Sequence, residues 1–126
     1  MARVLIVEDN PANMTLATFL LQSAGHVVLS ARDAETGIAL ARVEQPDLIL
    51  MDIQLAGMDG LEATALLKSD PSTRAIPVIA LTALAMKGDE QRILAAGCDG
   101  YIAKPLAYKD FLATISAQLV KAPLYG

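Results

Sequence analysis

Three acidic residues stand at the ends of apolar runs. Glu8 and Asp9 follow Val4-Leu5-Ile6-Val7, and Asp52 closes Leu48-Ile49-Leu50-Met51. Two other polar residues hold the same place: Thr82 after Val78-Ile79-Ala80-Leu81, and Lys104 after Tyr101-Ile102-Ala103. Taken singly, each has an ordinary reading as a solvated turn residue, a helix cap or a loop lysine. Brought together they could do chemistry. Two carboxylates ~4 Å apart repel by ~4 kcal/mol at an effective dielectric of ~20. A hard divalent cation, Mg²⁺ or alternatively Mn²⁺, removes that penalty, because Mg²⁺ takes oxygen ligands from one or two carboxylates and phosphate. A threonine hydroxyl and a lysine ammonium facing the same cluster suit an oxyanion such as phosphate.

The surrounding pattern predicts the elements that would gather them. The runs Val4–Val7, Val27–Leu29, Leu48–Met51, Val78–Leu81 and Tyr101–Ile102 read as strands. The first, third and fourth are apolar throughout, as in a parallel sheet covered on both faces. Between them lie helical stretches. Asn10-Pro11 is a cap and first-turn proline, Met14, Ala17, Leu21 and Ala24 keep helical spacing, and Gly25 is a stop. Asp33 caps a second helix carrying Ile38, Leu40 and Ala41. A third runs from Gly60 to Lys68 with Leu61, Ala65 and Leu66 or Leu67 inward, ended by Asp70-Pro71-Ser72. A fourth spans about Gly88 to Ala96 and stops at Gly97, and the last carries Phe111, Leu112, Ile115 and Leu119. Alternating strands and helices predict an α/β fold: a flavodoxin-like, doubly wound, five-stranded parallel sheet of order 2-1-3-4-5 with five helices. Such sheets place their sites beyond the carboxyl ends of the strands, where the order reverses. Here that point lies between the first and third strands, so Glu8, Asp9 and Asp52 are expected to converge.

The chain of 126 residues suits one domain, expected over residues 1–121 with a frayed tail at 122–126. With 54% hydrophobic and 19% charged residues it is not a disordered composition. No apolar run approaches the ~18 residues of a membrane span, and Val4–Val7 is too short for a signal peptide. A soluble, cytoplasmic protein without membrane insertion is therefore expected. One cysteine, Cys98, excludes an internal disulfide framework and a cysteine-based metal cluster. The formal charge of −4, without any basic run, argues against nucleic acid as a partner.

The quoted residues form a recognisable set. Leu5-Ile6-Val7-Glu8-Asp9-Asn10, Asp47-Leu48-Ile49-Leu50-Met51-Asp52, Leu81-Thr82-Ala83 and Lys104-Pro105 resemble the receiver domain of two-component response regulators, over nearly the whole chain. Ala85 to Arg92 with Gly97-Cys98 most resembles DivK-type single-domain regulators. The resemblance implies that Asp52 is the phosphoacceptor, attacking a phosphohistidine on a histidine kinase or histidine phosphotransfer protein. It implies that Asp9, Asp52 and the backbone carbonyl of Gln54 bind Mg²⁺, with Glu8 acting through a metal-bound water. Thr82 and Lys104 would hold the phosphoryl oxygens, and the bond before Pro105 would be cis. Thr82 would then move toward the phosphoryl group and Tyr101 would rotate inward. That repacks the face of helix 4, strand 5 and helix 5, through which an effector is met. A monomer or weak dimer that promotes its own phosphorylation and dephosphorylation is implied, with output through protein partners because no DNA-binding segment follows residue 120.

Two departures stand out. Members of the family usually carry proline where this chain has Ala56, and the first acid is Glu8 where Asp is commoner. His26, the only histidine, reads as a surface or half-buried residue, and Cys98 as a small buried hydrophobe. A Mg²⁺-dependent phosphatase of the haloacid dehalogenase type would need a second Asp at the position of Gln54. A nucleotide or flavin binder would be expected to show a glycine-rich phosphate loop, and none is present.

Overall fold

The five apolar runs become five parallel strands. A computed structural model describes residues 2–83, 87–104 and 106–121, with the backbone alone at 87–89 and 121. In chain order the elements are β1 (Arg3–Val7), α1 (Pro11–Ser23), β2 (Val27–Ala31), α2 (Ala34–Glu44), β3 (Leu48–Asp52), α3 (Gly60–Ser69), β4 (Val78–Thr82), α4 (Lys87–Ala95), β5 (Gly100–Ala103) and α5 (Tyr108–Lys121). The sheet order is β2-β1-β3-β4-β5, all parallel. Each strand contains its predicted run and is longer by one or two residues. β3 and β4 are buried along their whole length, whereas the edge strands β2 and β5 are partly exposed. This is why only the inner strands read as unbroken apolar runs.

The alternation of side chains across the strands feeds two cores. Val4 and Ile6, Leu48 and Leu50, Ile79 and Leu81 pack with Leu20 and Leu21 of α1 and Phe111 and Ile115 of α5. Leu5 and Val7, Ile49 and Met51, Val78 and Ala80 pack with Ile38 of α2, Leu67 of α3 and Ile93 of α4. Capping follows the sequence: Asn10, Asp33 and Asp59 each accept from a backbone N–H in the first turn of α1, α2 and α3.

Two details differ from the sequence pattern. In α3 the buried face is Gly60, Ala63, Thr64 and Leu67, while Ala65 and Leu66 point to solvent. The helical stripe therefore includes a polar residue. Thr64 is buried because its hydroxyl donates to the Gly60 carbonyl at 2.8 Å. In α1 the helix ends at Ser23, so Ala24 is an exposed cap residue instead of part of the stripe, with Gly25 following at a φ of 88°. The positions of Pro105, whose bond is expected to be cis, and of the tail 122–126 lie outside the described residues, as do Ala85 and Met86. Among the described residues no helix is long and apolar enough to cross a membrane.

Candidate functional site

Strand register brings the polar residues to one edge. Val7 pairs with Met51, Asp52 with Leu81 and Thr82 with Ala103. The next residues along β1, β3 and β4 therefore end at one level. The Lys104 N–H donates to the Thr82 carbonyl at 2.7 Å, which carries the β4–β5 ladder one residue further and brings Lys104 to the same edge. Strand alternation places Glu8, Asp52 and Lys104 on the side of α1 and α5, with Ile6, Leu50 and Ile102. Thr82 shares the opposite parity with Ala80 and Tyr101, and Tyr101 is half-buried against the core beneath α2, α3 and α4.

Glu8, Asp9 and Asp52 each offer an oxygen within 4.8 Å of the other two. Glu8 and Asp52 are buried, at 1% and 2% exposure, and Asp9 is exposed. The Lys104 ammonium lies 2.9 Å from Glu8 Oε1 and 3.2 Å from Asp52 Oδ2. Backbone N–H groups hold the carboxylates from the loops. Gln54 donates to Asp52 Oδ1 at 3.0 Å, Asn10 to Glu8 Oε2 at 3.3 Å, and Ala56 to Asp9 Oδ2 at 3.1 Å. Only Gly fits at the start of α3, because a Cβ at Gly60 would run into the Asp52 carbonyl and come within 2.7 Å of Ile53 Cα. The Asp52 end of β3 and the first turn of α3 are thus packed backbone to backbone.

The electrostatics follow from burying two acids beside one base. Burial, and then the neighbouring Asp52 carboxylate, push Glu8 from 4.5 up to about 7, only partly offset by Lys104 and the Asn10 N–H. Burial alone would pull Lys104 down, but its contact with Glu8 and the charges of Asp52 and Glu8 outweigh it, so Lys104 is raised and stays cationic. Glu8 Oε1 is buried beside that ammonium, which it shares with Asp52. An all-oxygen donor set, with three carboxylates against one ammonium among the described residues, fits a hard divalent cation held by Asp9 and Asp52 with Glu8 close by.

All five polar residues named from the sequence are therefore at one sheet edge, Thr82 on the opposite parity from Glu8, Asp52 and Lys104 and on the same side as Tyr101. What the sequence did not reveal is the Lys104–Glu8 contact, shorter than that to Asp52, and the Ala56 N–H on Asp9. Neither has a side-chain signature. The first needs the side-chain packing at the edge, and the second is a backbone group in a loop.

A doubly wound sheet with an acid cluster at its switch point and a lysine beside it offers a site for a cation and an oxyanion. Comparison with known proteins gives the particular family. The model of the response regulator receiver domain matches residues 4–116. The polar-differentiation response regulator DivK of Brucella anthropi is 50% identical over 116 residues, 92% of this chain and 94% of that protein. DivK of Brucella ovis matches to the same extent. Among solved structures, the receiver domain of sensor histidine kinase PA1611 from Pseudomonas aeruginosa, with a magnesium ion coordinated in its active-site cleft, superposes with a TM-score of 0.88. It is 34% identical and covers 94% of this chain and 98% of its own. Chemotaxis protein CheY4 of Vibrio cholerae has a TM-score of 0.88 at 27% identity, covering 93% and 98%. The chain belongs to the response regulator receiver domain family, and it is DivK-like within it.

Proposed function

We propose that this receiver accepts a phosphoryl group on Asp52 and signals through the proteins it then binds. The observation that carries the reading is the buried Asp52 carboxylate at the end of β3, with Lys104 Nζ at 3.2 Å and two further carboxylates beside it. The phosphoryl donor is a phosphohistidine on a histidine kinase or phosphotransfer protein, which places the protein in the cytoplasm. An Asp52 oxygen forms the bond to phosphorus while the nitrogen–phosphorus bond breaks. That bond's electron pair returns to the imidazole, which takes up a proton.

Little covalent work is needed beyond the nucleophile, so catalysis lies in positioning and charge. Asp9, Asp52 and the Gln54 carbonyl are the residues that would hold Mg²⁺, with Glu8 acting through a water. The ion supplies neutralisation of charge on the transferred group. The Gln54 N–H holds Asp52 Oδ1 and so orients the nucleophile. Lys104 is the cation for the phosphoryl oxygens, and the Thr82 hydroxyl donates to them. The same groups promote both arrival and loss of the phosphoryl. Ala83, small and exposed, leaves the approach open.

Residues 1–121 form the receiver unit in this reading and 122–126 a tail, with the protein a monomer or weak dimer. Exposed Leu16 and Phe19 line an apolar surface on α1 with Pro11, which a phosphodonor protein could cover. Thr82 and Tyr101 share one parity of adjacent strands, which supports a switch in which Thr82 shifts to the phosphoryl group and Tyr101 follows. The α4–β5–α5 face then changes for an effector. Mass spectrometry after acetyl phosphate and Mg²⁺ tests the assignment: wild type gains one phosphoryl and Asp52→Asn gains none. A phosphoryl persisting in Asp52→Asn refutes it, and turnover of a generic phosphate ester far beyond one equivalent would point to a phosphatase.

A further inference from the structure

We infer that Ala56 is a positioning residue: its backbone N–H orients Asp9 for the cation and ties the β3–α3 loop across the site to the β1–α1 turn. The inference deepens the Mg²⁺ reading above and rests on it. Asp9 is the one exposed member of the acid cluster, so the core does not enclose its side chain. Among the described residues the contact that holds it comes from 47 residues away in sequence, the Ala56 N–H at 3.1 Å from Oδ2. Two positions earlier in the same loop, the Gln54 N–H holds Asp52 Oδ1 at 3.0 Å. Alternate amides of one loop therefore hold one carboxylate on each side of the gap between β1 and β3. The loop is held at both ends, since Gly60 N–H donates to the Ile53 carbonyl at 3.4 Å and Asp59 caps α3. Gly57, at a φ of 80°, makes the reversal immediately after Ala56.

A carboxylate has two oxygens and about four acceptor sites, so accepting from Ala56 leaves Asp9 free to bind a metal. Holding it in one orientation beforehand removes an ordering cost that binding would otherwise carry. The contribution needs a donor at 56, which proline, the residue family members usually carry there, lacks. Ala56 thus contributes a group that a stiffer residue at this position could not.

The test compares wild type, Ala56→Pro and Ala56→Ser by calorimetric titration of the full chain with Mg²⁺. It adds the amide ¹⁵N–¹H shift of Ala56 in metal-free wild type and Asp9→Asn. Ala56→Pro should bind Mg²⁺ about 5–10-fold more weakly, and Ala56→Ser, which keeps the N–H, should stay within about 2-fold of wild type. Proline would also disturb a loop whose N–H is hydrogen-bonded, so the loss is read together with the Ala56 amide shift, which reports the donor directly. The Ala56 amide should shift when Asp9 loses its charge, a readout that stands even if Ala56→Pro fails to fold. Wild-type affinity in Ala56→Pro, an equal loss in Ala56→Ser, or an Ala56 amide indifferent to Asp9→Asn overturns the inference. No saturable Mg²⁺ binding by wild type itself would overturn the metal reading beneath it, and this inference with it.

Discussion

Glu8 is the group that the fold makes most reluctant to ionise, and the cost of that reluctance is measurable. The informative perturbation is Glu8→Gln, which keeps the shape and removes the titration. Burial and the Asp52 carboxylate raise Glu8 from 4.5 to about 7. At ~1.36 kcal/mol per pH unit this difference is worth about 3 kcal/mol. Asp9 leaves one side of the cluster open to solvent, and screening there brings the expected figure to about 2 kcal/mol. The folded protein binds the Glu8 proton more tightly than the unfolded chain does. The stabilisation is therefore complete below pH 4.5 and is lost as the pH rises through about 7. In a chelator, urea unfolding should show wild type losing about 2 kcal/mol more than Glu8→Gln between about pH 5 and about pH 8. Contributions from residues away from the cluster are common to both proteins and cancel in the difference. Adding Mg²⁺ at the higher pH should return much of the loss to wild type and less to Glu8→Gln, because a cation at the cluster takes over the balancing role of the proton. Parallel pH profiles for the two proteins would refute the claim that Glu8 is held protonated by its surroundings.

Other consequences can be checked with the same unfolding measurement. Lys104→Met removes the one ammonium seen between two buried carboxylates. Without metal it should cost about 3 kcal/mol near pH 8 and distinctly less near pH 5, where Glu8 carries its proton. Gly60→Ala should destabilise by about 2 kcal/mol or more, since the added methyl meets the backbone of Asp52 and Ile53, and should also slow phosphorylation by displacing the strand end. Leu67→Ala should cost about 3 kcal/mol while Leu66→Ala stays within about 1 kcal/mol, which reads out the buried face of α3 directly.

The parts of the fold legible in the sequence are those written in runs of one residue class. Val4–Val7, Leu48–Met51 and Val78–Leu81 are apolar because both faces of the sheet are covered, and the polar residue ending each run marks the edge where the site forms. Asn10, Asp33 and Gly25 announce helix ends because capping is local chemistry. The stripe of α3 was harder to read, since burial of Thr64 depends on its own hydroxyl finding the Gly60 carbonyl. The pairing of Lys104 with Glu8, and the donation from Ala56 to Asp9, depend on groups far apart in sequence and in one case on backbone alone. No pattern of residue types encodes either.

The charge balance at the cluster suggests how phosphorylation of Asp52, as proposed above, would act as a switch. With all three carboxylates ionised and Lys104 cationic, the cluster carries a net charge of −2 among the described residues. Metal-free protein relieves part of this by keeping the proton on Glu8. A divalent cation matches the deficit and releases that proton, so metal binding should strengthen as pH rises through about 7. A phosphoryl group on Asp52 would exchange one negative charge for about −1.5 to −2 at the same point and add three acceptor oxygens. Lys104, shared between Glu8 and Asp52 beforehand, then has a stronger partner on one side only. Redistribution of that one ammonium, at the end of β5 and three residues beyond Tyr101, would carry the phosphorylation state toward the face formed by β5 and its flanking helices.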